Sequence, residues 1–397
     1  MSMINRNSYI EKLAKWKDKQ IIKVLTGMRR VGKSTILLLY KKYLLDNGVD
    51  EKQIIYFNLE DLDNEYINNY KKFYDELLKR LVKDKMNYVM IDEVQNIEKF
   101  EKAIDSLYIK ENVDIYLTGS NAKFLSSEIA TILSGRYIEF NILPLSFKEY
   151  ISDEQMNKEK LFNDYIKYGA LPYIKTLNND EDSIQKYLEN IYNTVYTKDI
   201  LSHVDIRNYE VLAKTSKFMF DNISNNTSVK KITDTLKSAG NMISQPTIDT
   251  YIEVLVNTFM FYKANRYDVK GKKLLSTQYK YYAVDMGLRN FVLGSYNNDI
   301  GRILENIVYL ELKNRGYDVY IGKVGEYEVD FVAKKTDDII YYQVAQSVID
   351  NNTYEREMRP LRLIKDNYPK YILSMDNVLV GNNEGIKHVN MIDFLLE

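Results

Sequence analysis

Gly27-Met28-Arg29-Arg30-Val31-Gly32-Lys33-Ser34 spells G-x-x-x-x-G-K-S, a spacing whose residue types suit the gripping of a phosphate chain. Glycines at 27 and 32 let the backbone turn tightly enough for successive N–H groups to point at one anion. Lys33 offers a cation to the β- and γ-oxygens, and Ser34 offers a hydroxyl to Mg²⁺. Thr35 opens a helix-like run to Leu45, whose N-terminus adds partial positive charge. Farther on, Tyr88-Val89-Met90-Ile91 ends in Asp92-Glu93. An apolar strand delivers Asp92 to the sheet edge beside the glycine loop, where it holds Mg²⁺ through water. Glu93 is placed to polarise the water that attacks the γ-phosphate. A nucleoside triphosphate with its metal is the expected ligand. The plain alternatives are a glycine turn in an unrelated α/β protein and a strand end with solvated acids.

Three further groups have suitable chemistry but a less specific setting. The run Ile115-Tyr116-Leu117 ends in Thr118-Gly119-Ser120-Asn121, and Thr118, Ser120 and Asn121 are each able to sense a γ-phosphate. A turn selected for its glycine explains the same residues. Arg136, in Ser134-Gly135-Arg136-Tyr137, can stabilise transition-state charge, across a subunit boundary if the chain assembles, or can be a surface arginine. Of Arg29 and Arg30, one can meet the nucleotide, a role assigned here to Arg30, while the other pairs with a neighbouring helix.

The elements that must position these residues are legible as a rhythm. Strand candidates fall at 21–26, 53–59, 87–92, 114–119 and 137–142, separated by amphipathic stretches such as Phe73, Leu77, Leu78 and Leu81. That is the βα alternation of a parallel sheet, placing a first domain over residues 1–150. A helical lid is expected over 151–208, interrupted at Gly169-Ala170-Leu171-Pro172. Helices at Tyr209–Asp221, Val229–Ser238 and Pro246–Val256, then strands Met260–Tyr267 and Lys273–Ala283, predict a winged helix over 209–290. Residues 301–397 form a last α/β unit, with a helix at Arg302–Asn314, strands at Val319–Lys323, Glu328–Ala333 and Ile339–Val344, a helix near Tyr354–Asp366 and a strand at Tyr371–Ser374.

At 397 residues there is room for several cores, and 45 % apolar with 28 % charged residues is ordinary for a globular chain. A net charge of −1 supplies no global field toward nucleic acid or anionic membrane, so such affinity requires a local patch. Without cysteine there is no disulfide or thiolate chemistry, and with only His203 and His388 a His/Cys zinc site is excluded. The N-terminus lacks a secretory apolar core, and no apolar run approaches the ~18 residues of a membrane span. A cytoplasmic location without membrane contact is expected.

Gly27–Ser34, Asp92-Glu93-Val94-Gln95, Thr118-Gly119-Ser120, Ser134-Gly135-Arg136 and Leu143-Pro144-Leu145-Ser146-Phe147 together resemble prokaryotic ATPases of the AAA+ superfamily. More narrowly, they resemble the group ending in a domain of unknown function similar to restriction endonucleases. The resemblance spans almost the whole chain. It implies an α/β fold: a P-loop NTPase with an AAA+/ASCE-type parallel sheet, then helical lid, winged helix and restriction-endonuclease-like domain. It implies ATP and Mg²⁺ as cofactors, slow ATP hydrolysis, Lys33, Ser34, Asp92 and Glu93 as site residues, and a functional Arg136. A homo-oligomer follows if Arg136 acts in trans. Hydrolysis would drive movement of the later modules; the alternative is an ATP-gated DNA-binding or signalling module with negligible turnover.

The hairpin is basic, with Lys263, Arg266, Lys270, Lys272, Lys273 and Lys280 against Asp268, a stripe able to meet duplex DNA. The preceding helix offers Gln245, Thr247 and Thr250 but also Asp249 and Glu253, which repel phosphate. In the tail, Glu305, Asp330 and Gln343-Val344-Ala345 follow the order of a PD-(D/E)xK nuclease core. The resemblance places Gln343 where a carboxylate is usual and Ala345 where the lysine is usual. Cleavage is therefore expected to be lost or severely weakened, leaving a fold used for binding or assembly.

Overall fold

Five short runs, most of them buried at nearly every position, build the first sheet of the computed structural model, which describes residues 4–67, 69–120, 133, 135–151, 157–201, 209–294, 299–378 and 381–397. They are β1 (Ile22–Thr26), β2 (Ile54–Asn58), β3 (Asn87–Asp92), β4 (Val113–Gly119) and β5 (Tyr137–Asn141), all parallel, in the order β2-β3-β4-β1-β5. Strands covered on both faces need apolar side chains on both, which is why β1, β3 and β4 read as continuous runs. Their core gathers Ile55, Phe57, Phe73, Val89, Ile91, Ile104 and Leu117. Because β4 lies between β1 and β3, its tip at Gly119-Ser120 separates the loop after β1 from the acids ending β3. A helix, Asn7–Ala14, precedes β1 and was not read from the sequence.

Contacts divide the chain into two compact units, Met1–Ile142 with Asn257–Phe259, and Leu143–Val256 with Met260–Glu397. The second unit holds helices Lys158–Tyr168, Glu181–Thr194, Tyr209–Asp221, Val229–Ser238, Met286–Leu293, Ile300–Asn314, Asn351–Arg362 and Met391–Leu396. Asp285 ties two of these segments together: its carboxylate accepts from Leu288 N (2.9 Å), capping Met286–Leu293, and from Ala170 N (2.6 Å). Burial pushes the Asp285 carboxyl up to about 6, against the backbone donors that favour its charge.

The strands of this unit form one mixed sheet: β6 (Phe261–Asp268), β7 (Lys273–Ala283), β8 (Asp318–Val324), β9 (Tyr327–Lys335), β10 (Asp338–Val344), β11 (Lys370–Ser374), β12 (Gly381–Asn383) and β13 (Ile386–Asn390). Their order is β12-β13-β11-β10-β9-β8-β6-β7. The hairpin β6–β7, expected as the free wing of a winged helix, is instead the edge of this sheet. Arg266, Tyr267 and Asp268 run parallel to Ile321, Gly322 and Lys323 of β8. The physical reason is burial: Phe261, Ala264 and Tyr267 on β6, with the successive Tyr281 and Tyr282 on β7, which point to opposite faces, need both faces of the hairpin covered, and a solvated wing lacks that cover. Helices Tyr209–Asp221 and Val229–Ser238 have the expected bounds, and the third runs Gln245–Asn257.

Candidate active site

The loop leaves β1 at Thr26 and turns at Gly27, whose φ is +143°. A methyl group at Gly27 would run into the carbonyl oxygen of Ile142, so glycine alone lets the loop lie this close to the end of β5. Gly32, at φ +99°, caps the helix Lys33–Asp46, which begins two residues before the expected start at Thr35. Lys33 and Ser34 thus stand in the first turn, and Thr35 follows them there. The Lys33 ammonium is buried; it donates to the carbonyls of Gly27 (3.0 Å) and Met28 (3.2 Å) and lies 3.7 Å from Glu93 Oε1. Arg30 is exposed, with φ +68°, while Arg29 pairs with Glu60 at 3.2 Å. A residue missed in the sequence, Arg6, is buried and donates to the carbonyl of Val31 (3.2 Å), bracing the loop.

Across β4, the two acids are held by the strand-tip hydroxyls. Thr118 Oγ1 donates to Asp92 Oδ1 (2.6 Å) and accepts from the backbone N–H of Glu93 (2.8 Å). Tyr56 donates to Asp92 Oδ2 at 3.4 Å. Burial raises the Asp92 carboxyl above its ordinary value, opposed by hydrogen bonds from the Thr118 and Ser34 hydroxyls. Ser34 and Asp92 therefore stand side by side as two hard oxygen donors, a pair that fits Mg²⁺, which takes few protein ligands and completes its shell with water and phosphate. Glu93 is buried in the left-handed region at φ +52°, and Ser120 Oγ donates to its Oε2 (3.1 Å). Gln95 donates to the same oxygen. Lys33, Ser34, Asp92, Glu93, Thr118 and Ser120 are brought together; Asn121 lies outside the described residues.

Arg136 is not brought to this cluster. It precedes β5, and the register Ile22↔Tyr137 puts it at the start of β1, the edge opposite the glycine loop. Five strand residues at about 3.3 Å each separate the two edges by roughly 16 Å. There it pairs with Asp105 and lies 5.3 Å from the Tyr108 ring centroid.

The acids singled out in the tail meet a lysine that the sequence had counted with the wing. Lys280, on β7, is 4 % exposed and donates to Glu305 (2.9 Å), while its ammonium lies 2.8 Å from Glu328. Burial alone would lower its pKa, but Glu305, Asp330 and Glu328 together hold it above the ordinary lysine value. Lys280 is thus no phosphate contact, a correction to the basic stripe. Tyr282 also donates to Glu305 (2.8 Å), and Val344 N donates to Asp330 (2.8 Å). Desolvation, then the Glu305 charge, keeps the Asp330 carboxyl well above the usual range. Gln343 donates to Glu357 (2.7 Å), and Ala345 packs in an apolar cluster with Leu361 and Ile372. Among the described residues, no group of three or more acids or histidines is arranged to hold a metal, and no helix is long and apolar enough to cross a membrane.

With this geometry in view, residues 19–151 match a family model described as an AAA domain, and residues 159–299 match a domain of unknown function. A Haemophilus influenzae protein described as uncharacterized is 37 % identical over 407 residues, spanning 100 % of this chain and 99 % of its own. An uncharacterized Methanocaldococcus jannaschii protein is 32 % identical over 397 residues, spanning 94 % of this chain and 85 % of its own. The structure of a Walker-type ATPase of Pyrococcus abyssi superposes with a TM-score of 0.51 at 15 % identity, over 73 % of this chain and 96 % of that one. That likeness is one of fold.

Proposed function

We propose that this chain, which carries an AAA domain over residues 19–151 and belongs to one family with the Haemophilus influenzae protein along its whole length, hydrolyses ATP to ADP and phosphate. The observation that carries this reading is the convergence of Lys33, Asp92 and Glu93 at the carboxyl edge of one parallel sheet, tied by Thr118 and Ser120. Backbone N–H groups of the Gly27–Lys33 loop and the Lys33 ammonium receive the β- and γ-phosphates. Ser34 and Asp92 would hold Mg²⁺, which when bound neutralises phosphate charge. Glu93 Oε1 accepts a proton from the attacking water as its oxygen bonds to the γ-phosphorus and the bond to the β–γ bridging oxygen breaks. Arg136 acts, in this reading, only on a neighbouring copy. The chemical energy moves the second unit, a step readable as ATP-dependent protection from proteolysis.

Phosphate release tests the chemistry. Wild type should turn over, Lys33→Ala should lose nucleotide, and Glu93→Gln should keep nucleotide but lose about 10²- to 10⁴-fold in rate. Equal rates in all three would end the assignment. A second reading, ATP-gated DNA binding, is supported by exposed Lys263, Lys270, Lys272 and Lys273 on the hairpin. Exposed Asp249 and Glu253 on the preceding helix oppose it. It requires a steep salt dependence of duplex binding that flattens when those lysines are replaced.

A further inference from the structure

We infer that Gln95 is the residue that orients Glu93 for water activation, a role that rests on the hydrolysis reading above. β3 ends at Asp92, and Glu93 then adopts a left-handed backbone, φ +52° and ψ +52°, that a non-glycine residue enters at a cost. That reversal starts the turn Val94–Asn96, closed by Asn96 N donating to Glu93 O (3.1 Å), and brings the Gln95 side chain back onto the Glu93 carboxylate. The two carboxylate oxygens then have different surroundings. Oε2 receives the Gln95 amide and the Ser120 hydroxyl at 3.1 Å. Oε1 faces the Lys33 ammonium at 3.7 Å, the side on which the terminal phosphates are gripped. One oxygen is anchored and the other presented.

An unanchored glutamate samples several rotamers, of which one directs Oε1 at the phosphate side; an anchored one holds that geometry throughout. Gln95 suits the task by length and charge: its amide reaches back across a two-residue turn, and as a neutral donor it adds no second cation beside Lys33. Its own Oε1 is buried and has no hydrogen-bond partner among the described residues. The left-handed backbone at Glu93 is what lets the Gln95 Nε2–Glu93 Oε2 contact form.

The test uses the full chain and reads turnover and affinity separately. Gln95→Met keeps shape and removes the donor; Gln95→Glu keeps shape and replaces the donor with a like charge. Both should lower kcat about 10- to 100-fold, as loss of an orienting partner typically does, with ATP affinity by calorimetry changed less than twofold. In a Glu93→Ala background the further Gln95→Met change should have no effect on residual turnover, because Gln95 acts only through Glu93. Retained ATP affinity shows that each variant is folded. An unchanged kcat in Gln95→Met, or an equal loss in the Glu93→Ala background, overturns the role of Gln95 while leaving hydrolysis standing. A wild type that binds ATP and releases no phosphate overturns the hydrolysis reading and Gln95 with it.

Discussion

Replacing Lys280 with methionine should destabilise the second unit far more than replacing any other lysine of the same hairpin. The side chain keeps its length and apolar stem, so packing changes little, but the ammonium between Glu305 and Glu328 is lost. What remains for Glu305 is the Tyr282 hydroxyl at 2.8 Å, and for Glu328 the Asn226 amide at 2.8 Å and the nearby Arg266 charge. Removing one partner of a buried ion pair costs about 3–5 kcal/mol, because the other charge stays desolvated. For a unit of this size, that is a fall in Tm of roughly 10 °C. The sign with pH follows from the acids: without Lys280, the folded-state pKa values of Glu305 and Asp330 rise still further above their unfolded values. A group raised on folding stabilises at low pH and loses that contribution as pH rises through its folded value. The deficit should therefore be larger at pH 8 than at pH 5. Calorimetric melts of Lys280→Met, Lys270→Met and wild type at both pH values measure it, with the exposed Lys270 change staying within about 0.5 kcal/mol. If Lys280→Met is as silent as Lys270→Met, the internal pairing described for this cluster is wrong.

Other expectations are narrower. Gly27→Ala should abolish ATP binding and lower Tm, since a methyl group meets the Ile142 carbonyl at a backbone angle that glycine tolerates; calorimetry and melting check both. Asp285→Asn should flatten the pH dependence of stability. In wild type, a carboxyl raised to about 6 costs about 3 kcal/mol once pH has risen from 4 through 6, so the two melting profiles should differ in slope across that window. Arg136→Ala should leave ATP affinity within twofold, because Arg136 stands at the sheet edge opposite Lys33; a large loss measured by calorimetry would refute that placement.

Local chemistry was legible in the sequence wherever spacing alone determines contact. The glycine loop, Lys33 and Ser34 sit on consecutive strand, loop and helix, and Asp92-Glu93 end a later apolar strand, so their meeting needs only that both strands run parallel in one sheet with right-handed crossovers. Thr118 and Ser120 needed one more fact, that β4 lies between β1 and β3. Lys280 was misread because alternation along a strand says which residues share a face, not what covers that face. Its burial depends on β6 pairing with β8 across more than fifty residues of chain, a register no local pattern announces. Gln95 was visible as a letter in a motif but not as a contact, since a left-handed Glu93 is a departure from ordinary backbone preference. Arg6 was illegible for a similar reason: its partner is a backbone carbonyl, which every residue carries.

The most direct measurement is isothermal calorimetry of ATP, with and without Mg²⁺, against wild type and Lys33→Ala. Wild type should bind one nucleotide per chain, more tightly with the metal present, and Lys33→Ala should show no binding heat. Equal heats for the two proteins, or none for wild type, would contradict the assignment of this pocket to a triphosphate.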